Sequence, residues 1–162
     1  MSKFDYFAKF KGKIRKIMKF SETLKDLMLD NNLSIKELVD ASKINISTIY
    51  FYLKHNSLPD VQTAIKLSEY FNCSINFLLG LSDDKEIKIV KTNTRFIDNY
   101  EFLLKEFKTN NYNVSNNLNI NRNSIYNWKK GKTPKMIILV EIAKYFNTSV
   151  DFLLGRTKDY VL

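Results

Sequence analysis

The chain has 162 residues, 44% of them hydrophobic, enough for one ordinary domain or two small ones. One Cys and one His exclude an internal disulfide framework and leave a Cys/His zinc site or a Cys–His nucleophile pair no redundancy, while the net charge of +9 points to a polyanion partner. No run nears the roughly 18 apolar residues of a membrane span and no secretory signal pattern opens the chain, so a membrane partner is not expected and a reducing cytoplasm is.

Only four Gly and two Pro, with abundant Leu, Ile, Lys and Asn, favour helices joined by short turns. Residues 1–19 form a basic arm of seven Lys or Arg against one acid. Phe4, Phe7, Ile14 and Ile17 recur there near helical spacing, but Gly12 weakens a continuous helix. The arm is expected to be loosely packed, as a clamp on DNA or a helix on the first domain, and Met18 is an alternative start.

The first domain, 20–82, reads as five helices. Ser21 is expected to cap a helix carrying Leu24, Leu27 and Met28. Ser34 is placed to cap "IKELVDA", where Ala41 is small enough to let two helices cross before a tight turn. Asn45 is placed to cap "ISTIYFYL". His55 then falls in an exposed loop, with Asn56 available for a left-handed turn. Pro59 suits a first helical turn, and "DVQTAIKLSEYF" puts Val61, Ala64, Ile65, Ser68 and Phe71 on one face. Cys73 is expected to be a buried structural thiol. Ser74 is placed to cap "INFLL", which Gly80 stops.

The linker, 83–97, has no Pro or Gly, and its "EIKIV" alternates like an extended piece. Fully extended it spans at most about 50 Å, more than the roughly 34 Å between half-sites one DNA turn apart.

The second domain, 98–162, repeats the first. "PDVQTAIKLSEYFNCSINFLLG" (59–80) aligns without gaps on "PKMIILVEIAKYFNTSVDFLLG" (134–155), with nine of 22 positions identical. Upstream the register shifts by one, so "LVDASKINISTI" (38–49) lies on "VSNNLNINRNSI" (114–125). Asn110, Asn121 and Ser149 are then the caps, and Gly155 the stop. Ile44 and Ile49, like Ile120 and Ile125, tuck beneath the second helix and leave the third projecting, the geometry of a helix-turn-helix. The expected fold is all-α, two tandem five-helix domains.

"LSIKELVDASKINISTIYFYL…LPDVQTAIKLSEYFNCSINFLLG" resembles the lambda-repressor/Cro-type (XRE-type) helix-turn-helix family, and so does "NINRNSIYNWKKGKTP…VEIAKYFNTSVDFLLG". The closing "YFN-S-FLLG" phrase is typical of bacterial and phage members. The resemblance implies two lambda repressor-like folds and double-stranded DNA bound by each third helix. It also implies transcriptional regulation: a repressor of phage, mobile-element or antitoxin type, working on the nucleoid in the cytoplasm.

In the second copy the exposed stripe is Arg122, Tyr126 and Lys130, flanked by Asn121, Asn123, Ser124 and Asn127. Arg can take O6 and N7 of guanine together, and Asn can pair with N6 and N7 of adenine. Lys129, Lys130 and Lys132 would contact phosphates, each steepening the salt dependence by about 0.9 in log–log slope. The resemblance puts Asn111 where relatives often carry a contacting Gln, and Trp128 partly in the core with its indole within reach of the DNA backbone. The alternative is a merely solvated polar helix face.

The first copy differs. Asn45, Ser47, Thr48, Tyr50 and Lys54 keep polar reach, but Ile35, Ile46 and Phe51 replace hydrogen-bonding groups, and residues 20–84 carry a net −4. The apolar groups suit either thymine methyls or a protein partner, including a homodimer. An enzyme is not expected. There is no phosphate-cradling Gly loop and no metal-ligand spacing, and no cofactor or small-molecule ligand is implied.

Overall fold

A computed structural model describes residues 19–85, 89–90 and 92–160, and all regular structure among them is helical. The basic arm expected over 1–19 lies, but for Lys19, outside the described residues, as does most of "EIKIV". The described residues fall into two compact units, one ending before Lys88 and one running from it to the C-terminal end.

The first unit holds α1 (Phe20–Asp30), α2 (Ile35–Ser42), α3 (Ile46–Lys54), α4 (Val61–Tyr70) and α5 (Ile75–Leu78). Helix α1 packs on α3 and α5, α2 packs on α3 and α4, and α4 packs on α5. Leu24, Leu38, Ile49, Ala64, Leu67, Cys73, Ile75 and Leu78 meet in a fully buried core, and the Phe20 ring stands edge-on to Tyr52 at 5.2 Å. Sealing one such aliphatic side chain from water contributes about 1.5–3 kcal/mol.

Local chemistry sets the helix starts. Ser34 and Glu37 form a capping box in which the Ser34 hydroxyl and backbone N–H hold the Glu37 carboxyl below its ordinary range. Asn45 and Ser74 accept the backbone N–H groups of Ser47 and Phe77, and each such cap contributes about 1 kcal/mol.

Four local expectations are corrected. Ser21 does not cap α1 but lies within it, its hydroxyl donating to the Leu53 carbonyl at 3.0 Å and so tying α1 to α3. Ala41 is exposed. The small residue at the turn is the buried Ser42, which donates to the Leu38 carbonyl at 2.7 Å and accepts from the Ile44 N–H at 3.3 Å. Pro59 precedes the cap of α4, a role taken by Asp60, whose carboxylate accepts the Thr63 N–H at 3.0 Å. Asn56 is not left-handed. Its side chain accepts from the Ser21 N–H instead, and α3 ends on His55 in an extended conformation.

The second unit holds α6 (Phe96–Glu106), α7 (Asn111–Leu118), α8 (Arg122–Lys129), α9 (Met136–Phe146) and α10 (Val150–Leu153). Helix α6 packs on α8 and α10, and α9 packs on α10. Trp128 stands edge-on to Phe96 at 5.2 Å and to Tyr100 at 5.7 Å, with Leu139, Ile142, Phe146 and Leu153 completing the core. Asn110, Asn121 and Ser149 cap α7, α8 and α10 through their side chains. Asn119 takes the left-handed turn after α7, where Asn is better tolerated than other side chains.

Helix α6 starts at Phe96, because Asp98 accepts from both the backbone and the guanidinium of Arg95. Both ends of the stretch 83–97 are bonded into a unit. The Lys85 carbonyl accepts from Ser74, and the N–H groups of Val90 and Thr92 donate to the carbonyls of Arg156 and Gly155. Only 86–89 remain between these bonds, so a reach of about 50 Å would require them to open.

Gly155 sits at φ +71°, and a Cβ there would lie 2.6 Å from the Thr94 carbonyl oxygen. Gly131 has φ +90° with nothing within 4 Å. Gly131→Ala is expected to cost about 1–2 kcal/mol, from backbone strain alone. Gly155→Ala adds a clash with backbone that cannot swing aside, for about 2–4 kcal/mol in all. Urea melts of the two variants check this ordering, and equal costs would refute it.

Candidate nucleic-acid interface

The third helix of each unit is fixed by two buried residues and presents most of its remaining side chains to solvent. In α8 these anchors are Ile125 and Trp128, both under a tenth exposed. Arg122, Asn123, Tyr126 and Lys129 are exposed, as are Lys130 and Lys132 in the turn beyond, while Ser124 and Asn127 are half-buried. The expected stripe thus falls on one open face. Trp128, expected partly in the core, is buried almost completely.

Several of these groups already have partners. The Asn121 side-chain oxygen accepts the Asn123 N–H at 2.8 Å, so only its NH2 is free to donate outward. The Lys130 ammonium lies 4.4 Å from the centre of the Tyr126 ring, a cation–π pair that orders both side chains on the open face. Lys129 is 3.7 Å from Glu101 on α6. Asn111 is half-buried at the start of α7, with its side-chain oxygen turned inward and no hydrogen-bond partner. Rotation of the amide outward would relieve that acceptor and give Asn111 the reach expected of it.

In α3 the anchors are Ile49 and Tyr52. Asn45, Ser47, Tyr50 and Lys54 are exposed and Thr48 is half-buried, but the Asn45 side chain accepts both the N–H and the hydroxyl of Ser47. The open face is largely apolar: Ile46, Tyr50 and Phe51 are each about half exposed, with Ile35 half-buried. The Phe51 ring leans on the His55 imidazole at 5.0 Å, so this loop residue continues the apolar face.

Two features of the second unit were missed from sequence. One is the Glu101–Lys129 pair. The other is a buried ion pair, Arg156 to Asp151 at 3.2 Å, with side chains 7% and 0% exposed. Comparing the repeats would have flagged it, since the equivalent first-unit residues are Leu81 and Asn76. Among the described residues no group of His, Cys, Asp or Glu could hold a metal ion, and no helix is long and apolar enough to cross a membrane.

Residues 24–78 match the Helix-turn-helix family model, a family of DNA-binding regulators. Over those residues the first unit is similar to helix-turn-helix domains of the lambda-repressor (XRE) type. The match takes in α2 and α3 whole, with their turn at Lys43 to Asn45, and about a third of the chain. No curated protein and no solved structure gives a significant match.

Proposed function

We propose that the chain is a sequence-specific transcriptional regulator, a repressor in type, that binds double-stranded DNA with tandem helix-turn-helix domains. The second domain is the principal reader. The observation that carries this is the open face of α8, where Arg122, Asn123, Tyr126 and Lys130 project while Ile125 and Trp128 lock the helix into the core. Supporting it, the repeat aligns α7 and α8 with the helices of the family-matched segment. Residues 99–162 also carry twice as many basic groups as acidic ones. Arg122, Asn123 and Asn127 would read bases, while Lys129, Lys130 and Lys132 would hold phosphates. A protein of this kind would act in the cytoplasm, on its own operator or that of a mobile element.

A second reading is favoured by the apolar face of α3. Here the first domain is a protein-binding module, for a second copy or another protein, and only the second domain reads DNA.

Genome-fragment selection followed by gel shift at two salt concentrations tests the proposal. A regulator should prefer its best fragment over random duplex by about a thousandfold or more. A preference of only a few fold would sink it. Paired Ile46→Asp and Phe51→Asp substitutions separate the two readings. Loss of self-association or of a partner with DNA affinity intact supports the second, whereas weakened DNA binding supports the first.

A further inference from the structure

Among the basic groups at the α8 face, Lys129 alone is in ion-pair contact with a carboxylate among the described residues, Glu101 of α6 at 3.7 Å. The pair belongs to the second unit only, since the repeat-equivalent positions in the first are Lys25 and Leu53. Glu101 also acts on Arg95, whose guanidinium is held in its charged form by Asp98 first and by Glu101 more weakly. Both side chains of the Glu101–Lys129 pair are about half exposed, and such ion pairs add little to stability. The larger consequence of this carboxylate falls on whatever binds beside Lys129. A phosphate approaching α8 meets a lysine already occupied and a negative charge behind it.

We propose that Glu101 sets the affinity of the interface: its carboxylate competes with phosphate for Lys129 and weakens backbone contact without changing which bases α8 reads. This rests on the reading of α8 as the DNA-contacting helix. The effect is confined to the electrostatic, sequence-independent part of binding, because neither group of the pair is on the Arg122–Tyr126–Lys130 stripe. Glu101 is a positioning residue. It acts through Lys129.

The test compares Glu101→Gln with the wild-type full chain, on the best selected fragment and on random duplex, across a salt series. Glu101→Gln is expected to tighten both by about three- to tenfold near 0.1 M salt. The ratio between them should stay constant, and the log–log salt slope should steepen by up to about 0.9. Lys129→Gln should itself weaken binding to both duplexes alike, and should abolish the gain in the Glu101→Gln background. Asp159→Asn removes a carboxylate from the C-terminal segment and controls for net charge.

An unchanged Glu101→Gln, an equal gain from Asp159→Asn, or a gain that survives Lys129→Gln would each overturn the proposal while leaving the DNA-reading function standing. If wild type and Glu101→Gln both fail to bind any duplex, the reading of α8 falls and this proposal with it. Trp128 fluorescence verifies that each variant is folded.

Discussion

Arg156→Leu is expected to destabilise the second unit by about 3–5 kcal/mol, the usual cost of leaving half of a buried ion pair without its partner. The Asp151 and Arg156 side chains are almost wholly withdrawn from water, so neither charge has solvent to fall back on. The repeat supplies its own control. At the same places the first unit carries Asn76 and Leu81, in the same turn, with Leu81 donating its N–H to the Asn76 carbonyl as Arg156 does to Asp151. The double variant Asp151→Asn with Arg156→Leu therefore installs a solution that the chain already uses, and most of the loss should be recovered. Trp128 is the only tryptophan and lies in the second unit, so its fluorescence in urea follows that unit alone. A double variant as unstable as the single would show that breaking the ion pair between Asp151 and Arg156 from one side is not the cause. A neutral single variant would show that the pair contributes nothing.

That ion pair also marks where reading from sequence ran out. Helix starts were legible because a cap is a local event: Ser34, Asn45, Ser74, Asn110, Asn121 and Ser149 each bond within three residues of themselves. Ser21 and Asn56 were misassigned because their partners, Leu53 and Ser21, lie more than thirty positions away along the chain. The same polar side chain can cap a helix or tie two helices together, and spacing does not separate the two. Size alone points to Ala41 as the close-packing residue, but helical phase puts it outward and Ser42 inward. On α8, the exposure of Arg122, Tyr126 and Lys130 follows from their spacing relative to Ile125. The occupation of Lys129 by Glu101 and the stacking of Lys130 on Tyr126 depend on tertiary approach and rotamer, which spacing does not carry.

Arg122→Ala is expected to cost about 1–3 kcal/mol of discrimination at one base step, roughly a five- to 150-fold loss of preference there, with affinity for random duplex only modestly reduced. Lys132→Ala should behave oppositely, weakening all sequences alike and flattening the salt slope by about 0.9. Asn121→Ala is the instructive third case. Its side-chain oxygen holds the first turn of α8, so it should lower stability by about 1 kcal/mol before it alters any base preference. The repeat sharpens the contrast, because Ile46 of α3 stands where α8 has Arg122. Arg122→Ile makes the second unit's helix resemble the first's and should lose the same base step as Arg122→Ala. The reverse exchange, Ile46→Arg, asks what α3 faces. If α3 lies in a groove, the added guanidinium gains a phosphate or base and the salt slope steepens. If α3 packs on a protein, DNA affinity is unchanged and association weakens, since a charge has been placed in an apolar contact. Base preferences measured on a library of single-step variants of the selected fragment decide the matter. Uniform weakening by Arg122→Ala across that library would remove α8 as the element that reads sequence.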